Sequence, residues 1–224
     1  MLNRFRNRTE AGQLLAARLM AYAHRTDVLV LALPRGGVPV AFEIAQALQV
    51  PLDVLVVRKL GVPGEEELAM GAIASGDVLV LNERVVQSMS IAREDIARTA
   101  AFERKLLQQR EQLYRGNRPL YDVKDRTVIL VDDGIATGAT MHAAVSALKQ
   151  QQCAHIVVAT PVVAAQTCAA LEREVDSVVC LLKPELFLAV GYWYEHFEPT
   201  SDDEVHQLLE QAARITPTQN DPPA

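Results

Sequence analysis

The stretch VILVDDGIATGATM, Val128 to Met141, decides the fold. It opens with an apolar run of strand length, two adjacent acids close that run, and small and hydroxyl residues then lead into a helix predicted over Gly138 to Gln151. Strand, loop and helix in this order make the unit of an open α/β sheet. Ligands of such sheets bind beyond the carboxyl ends of the strands, where the next helix offers unpaired N–H groups and a positive dipole end. Gly134, Gly138 and Ala139 would let an anion approach the backbone, and Thr137 and Thr140 could each add a hydroxyl donor. A hydrogen bond to a charged group contributes about 1.5 to 3 kcal/mol. Asp132 and Asp133 would repel a phosphate that they faced, so they suit sugar hydroxyls or a magnesium ion beside it.

Upstream, Thr9 to His24 has Leu14, Leu15, Leu19 and Tyr22 at helical spacing, followed by the apolar run Val28 to Leu33. Gly37 to Leu48 reads as a helix with Val40, Ile44, Ala45 and Leu48 on one face, and Leu52 to Val57 is a second apolar run. Together they form a β-α-β unit. Gly61 to Gly76 lapses into a loop rich in Gly, Pro and Glu, Asp77 to Leu81 is a short strand, and Ala92 to Tyr114 is a long charged helix. Downstream, Ile156 to Thr160, Ala164 to Arg173 and Ser177 to Leu182 alternate as strand, helix and strand. Uniformly apolar strands alternating with helices imply an α/β fold: a doubly wound, mainly parallel sheet with helices on both faces.

Pro184 to Glu198 holds five of the eleven aromatic residues, Phe187, Tyr192, Trp193, Tyr194 and Phe197, and reads as a small C-terminal hood over a ligand. Asp202 to Arg214 is a last helix. The expected organisation is a core over residues 1–183 with a helical insertion at 92–114, hood and final helix at 184–214, and a disordered tail at 215–224.

At 224 residues the chain suits one large domain, and 50% hydrophobic with 22% charged residues excludes disorder and collagen-like repeats. A net charge of −6 argues against nucleic acid or an anionic membrane as partner. The charge is unevenly placed: residues 171–224 carry −8 and residues 1–170 carry +2, so anion binding belongs in the first three quarters. Cys153, Cys168 and Cys180 have neither CxxC spacing nor a His pair, which disfavours a disulfide framework and a zinc ribbon. Glu10 and Arg18 interrupt any signal-peptide core, so a cytoplasmic protein is expected. The uncharged stretch Cys153 to Leu171 changes from β-branched to alanine-rich midway, as a strand followed by a helix would and a membrane span would not. The five histidines show no metal-ligand spacing, and GxSxG, GxxxxGK[ST] and HExxH motifs are absent.

Two further segments resemble anion sites. LALPRGGVP, Leu31 to Pro39, places Arg35, Gly36 and Gly37 between a strand end and a helix start, and LDVLVVRKLGVPGEEELAM ends a strand in Arg58 and Lys59.

Val128 to Met141 closely resembles the phosphoribosyl-diphosphate (PRPP) motif of the type I phosphoribosyltransferases, a hydrophobic strand, two acids and a TGxT loop. The resemblance implies that Asp132 and Asp133 engage the ribose hydroxyls and magnesium, and that Ala136, Thr137, Gly138, Ala139 and Thr140 grip the 5'-phosphate. It makes Arg35, Gly36 and Gly37 the pyrophosphate loop and Leu60 to Met70 a lid that closes over the reactants. The implied reaction moves the 5-phosphoribosyl group of PRPP to a nitrogen of a nucleobase-like acceptor. Pyrophosphate leaves, stabilised by Mg2+, Arg35, Arg58 and Lys59. LFLAVGYWYEHF is similar to the hood of hypoxanthine-guanine enzymes, which implies Phe187 against a planar acceptor, yet Ala136 stands where those enzymes carry an aspartate. The segments Val131 to Met141 and Arg58 to Gly64 are closer to adenine phosphoribosyltransferases. The family also implies a homodimer, and its fold occurs in regulatory modules that sense PRPP without turning it over.

Overall fold

A computed structural model describes residues 4–215. Five strands, β1 (Val28–Ala32), β2 (Leu52–Val54), β6 (Thr127–Val131), β7 (His155–Val162) and β8 (Ser177–Leu182), form a parallel sheet in the order β2-β1-β6-β7-β8. The doubly wound parallel sheet expected from the sequence is present. Alternation along the strands divides the core between the two faces. Val28, Val30 and Ala32 pack with α1 (Arg8–Arg18), α2 (Gly37–Leu48) and α7 (Asp202–Ile215), whereas Leu29, Leu31, Val128 and Leu130 pack with α5 (Ala139–Gln150) and α6 (Ala165–Leu171).

Local signals set the helix ends. Asn7 caps α1 by accepting from the Glu10 N–H at 2.9 Å, and Glu10 Oε2 accepts from the Arg6 N–H in return. Gln49, with φ 56°, ends α2 in the left-handed conformation common at helix C-termini.

The Gly, Pro and Glu-rich stretch differs from expectation. It is not a loop but a second sheet, antiparallel, of β3 (Val57–Val62), β4 (Glu65–Ala74) and β5 (Val78–Leu81), standing between α5 and α4 (Arg93–Arg115). The apolar run over Leu52 to Val57 is correspondingly broken after Val54, and its last residue starts the second sheet. Leu60 and Met70 are fully buried and anchor the hairpin, so only its tip, residues 63–68, is exposed throughout. A short helix, α3 (Glu83–Ser88), joins the second sheet to α4. Residues 190–193 form a 3-10 turn in the aromatic segment, and residues 5 and 194 pair as an isolated parallel bridge. Ile215 ends α7, and the rest of the expected tail lies outside the described residues. Among the described residues no helix is long and apolar enough to cross a membrane, and all three cysteines are free.

Candidate functional site

Sheet order fixes where a ligand can sit. Strands β1 and β6 are neighbours, yet α2 leaves β1 over one face and α5 leaves β6 over the other. The crevice beyond their carboxyl ends is the switch point at which open α/β sheets bind ligands. Residues 33–37 and 132–140 line its two sides.

These loops meet too closely for side chains. A Cβ at Gly36 would overlap Asp133 Oδ2, and one at Gly37 would sit 2.7 Å from the Val131 carbonyl oxygen. Both glycines are therefore required by packing, whatever anion they also admit. The Pro34–Arg35 peptide is cis. Gly134 has a different role from the one expected of it, because the hood residue Val190 lies where its side chain would be. Its missing side chain leaves room for the aromatic segment to pack here.

The two acids have unequal surroundings. Asp132 is half-buried, and its Oδ1 accepts the Asp133 N–H at 2.9 Å. Asp133 is 8% exposed and its Oδ2 lies 2.8 Å from Arg8 Nε. Burial and the neighbouring carboxylate push Asp132 well above the usual carboxylate range; burial also raises Asp133, with Arg8 opposing it. Arg8 donates to the Glu198 carbonyl at 2.8 Å and lies over the Phe197 ring at 3.9 Å, while the Tyr194 hydroxyl donates to the Asp133 carbonyl at 2.6 Å. One arginine thus ties the N-terminal helix, the hood and the second acid together. The sequence held no local signal for it, since its partner is 125 residues away.

The candidate phosphate loop is open. Ala136, Thr137, Ala139 and Thr140 are exposed, and Gly138, with φ 77°, starts α5 in a conformation that favours glycine. The first N–H groups of α5 have no partner within the helix. Thr167 braces the loop from α6, its hydroxyl donating to the Ala136 carbonyl at 2.5 Å.

The cations separate. Arg58 and Lys59 are consecutive on β3 and so point to opposite faces. Arg58 joins Arg35, Arg110, Tyr114 and Thr140 around a cavity of about 240 Å³, and also pairs with Glu103 at 2.6 Å. Lys59 instead approaches Glu67 at 3.5 Å and lines a groove of about 550 Å³ between the hairpin and α5, which Thr140 also borders. The smaller cavity is where the three candidate anion-binding segments meet. Arg110 was hidden in the charge alternation of α4, which reads as a solvated face.

In the hood, Phe187 lies 6.3 Å from Trp193 between ring centroids. The Trp193 Nε1 is buried without a hydrogen-bond partner among the described residues. For magnesium, no group of three or more His, Cys, Asp or Glu side chains comes together among the described residues. Magnesium keeps several waters and takes one or two carboxylates plus substrate phosphates. Asp132, the more accessible acid, fits such an ion carried by a phosphate ligand, whereas Arg8 already occupies one oxygen of Asp133.

Comparison with known proteins agrees with this geometry. The family model described as phosphoribosyl transferase domain matches residues 5–194. Two curated proteins of Mycobacterium tuberculosis, from strains CDC 1551 / Oshkosh and H37Rv, are each named "Putative phosphoribosyl transferase" and are 47% identical over 213 residues. The match takes in 94% of this chain but 47% of theirs, so the chain spans about half the length of these curated relatives. A crystal structure of a protein from Thermus thermophilus has a TM-score of 0.82 at 42% identity, covering 93% of this chain and 98% of that one. The chain belongs to the phosphoribosyl transferase domain family.

Proposed function

We propose that the protein transfers the 5-phosphoribosyl group of PRPP, with magnesium, to a nitrogen of a small planar acceptor and releases pyrophosphate. The observation that carries this reading is the meeting of Arg35, Arg58 and Thr140 around one cavity at the β1/β6 switch point. Negative charge builds on the departing diphosphate while positive charge builds on the ribose, so prepositioned cations on one side and a carboxylate on the other lower the barrier. Arg35 and Arg58 face the diphosphate, Asp132 holds the ribose hydroxyls, and the open start of α5 takes the 5'-phosphate. Magnesium bound to the phosphates supplies further charge neutralisation. In the hood, the Phe187 ring can stack on a planar acceptor, and the unpartnered Trp193 N–H favours one bearing a hydrogen-bond acceptor. Mixing the protein with PRPP, magnesium and a panel of nucleobases and related heterocycles tests the reading. Release of pyrophosphate with one of them supports transfer, and PRPP binding without release under any of them makes the protein a sensor.

Thr140→Ala is expected to weaken PRPP binding about tenfold or more, the loss of one hydrogen bond to a charged group, with an unchanged melting temperature because the side chain is exposed. Titration calorimetry reads the first and a thermal melt the second. Unchanged affinity would remove Thr140 from the phosphate site.

The lid proposal narrows to the hairpin tip. Glu65, Glu66 and Glu67 are exposed there, whereas Leu60 and Met70 are held in the core. A Glu-specific protease is expected to cut at these three residues in the ligand-free protein and to cut more slowly with PRPP bound. Equal rates in both states would mean that the tip does not close.

A further inference from the structure

We propose that Arg110, supplied by the long helix α4, is a diphosphate-binding residue, and that Asp202 at the start of α7 is the carboxylate which the diphosphate displaces. The inference rests on the proposed function and extends it to two residues outside the segments that carry the family resemblance.

Arg110 lines the cavity beside Arg35 and Arg58. Its NH1 donates to the Tyr114 hydroxyl at 2.9 Å and to Asp202 Oδ1 at 2.9 Å, and the Tyr114 hydroxyl donates to the same oxygen at 2.8 Å. Tyr114 lies one helical turn after Arg110, so both side chains share the face of α4 turned to the cavity. Arg35 reaches the same Asp202 oxygen at 3.7 Å. One carboxylate therefore answers two guanidinium groups, and the cluster keeps an excess of positive charge. A diphosphate carries several charged oxygens and can take both guanidinium groups through the paired N–H bonds that arginine makes to phosphate.

Asp202 suits a displaceable anion. Its side chain and that of Arg110 are 33% and 43% exposed, and ion pairs so open to water are weakly held. Asp202 also opens α7, where the helix dipole favours a carboxylate with or without its arginine partners. Separation from Arg110 therefore does not leave it stranded. Ser201 caps the same turn by accepting from the Glu204 N–H at 3.0 Å, so the helix start holds without the Asp202 contacts.

The test measures binding of magnesium pyrophosphate, ribose 5-phosphate and PRPP by calorimetry to the native chain and to Arg110→Met, Arg110→Lys and Asp202→Asn. Arg110→Met is expected to lose about tenfold or more in affinity for pyrophosphate and PRPP, while ribose 5-phosphate, which lacks the diphosphate, binds as before. Arg110→Lys is expected to recover part of the loss, and Asp202→Asn to bind pyrophosphate several-fold more tightly than the native chain. Unchanged pyrophosphate affinity in Arg110→Met, or an equal loss for ribose 5-phosphate, would overturn the role of Arg110. Pyrophosphate affinity in Asp202→Asn at or below that of the native chain would overturn displacement. If the native chain binds all three ligands and the variants match it, this inference alone falls; if it binds none, the proposed function falls as well.

Discussion

Asp132→Asn is expected to abolish the thermal stabilisation that PRPP and magnesium confer, while the ligand-free protein melts at the same temperature or higher. The carboxylate is half-buried, its neighbour repels it, and an asparagine oxygen can still accept the Asp133 N–H, so neutralising it removes a repulsion without losing the hydrogen bond. A ligand that binds only the folded state raises stability by mass action, and that gain disappears with the group that holds it. Asp133→Asn should behave differently. Its oxygen is bonded to Arg8 in a nearly enclosed pair with 12% of each side chain exposed, and removing one partner of a buried pair costs about 3 to 5 kcal/mol. The amide can still accept from Arg8, so the low end applies, a fall in melting temperature of roughly 6 to 12 °C for a chain of this size. The ligand-induced shift should shrink but persist. Melts of both variants with and without PRPP separate the roles. Equal loss of the shift with equal apo stability would mean that the two acids share one task and that Arg8 does not hold Asp133.

That difference marks where sequence reading stops. Adjacent acids at a strand end and a glycine-rich loop are local patterns, and so the strand, the loop and the helix after it were legible from Val128 to Gln151. The parallel sheet was legible for the same reason, since its strands are mainly apolar runs and its helices lie between them. What sets Asp133 apart from Asp132 is its bond to Arg8, which belongs to the first helix and meets the acid only in the folded chain. Arg110 is similar: its partner Asp202 lies 92 residues further on. The hairpin was lost for another reason. In β4 the residues Glu65 to Leu68 are exposed in succession, so the alternation that marks a half-buried strand is missing over its first half, and Gly61, Gly64 and Gly71 add the look of a loop. A second sheet hid in what composition assigns to a loop.

The largest effect on stability is expected from Arg115→Met. Arg115, the last residue of α4, has 6% of its side chain exposed, and its Nε lies 2.8 Å from both oxygens of Asp53, itself 5% exposed, on β2. Its NH2 donates to the Val54 carbonyl at 2.5 Å and its NH1 to Glu111 at 3.1 Å. The pair fastens α4 to the edge strand just before Leu55 to Arg58, which border the 240 Å³ cavity. Methionine fills similar space but leaves the buried carboxylate without the cation bonded to it, a cost of about 3 to 5 kcal/mol and a fall of roughly 6 to 20 °C in melting temperature. Burial already raises the Asp53 pKa against the opposing charge of Arg115, and removing that charge raises it further. An acid whose folded pKa lies above its unfolded value destabilises the fold while ionised and ceases to do so once protonated. The deficit of the variant should therefore narrow as the pH falls through that raised value, whereas a loss of packing alone would be the same at every pH. The double variant Asp53→Leu, Arg115→Met should recover most of the stability, because apolar side chains can replace a buried pair without net cost. A double variant no more stable than the single one would show that Arg115 acts through the Val54 carbonyl and Glu111, and that the charge on Asp53 is not what needs it.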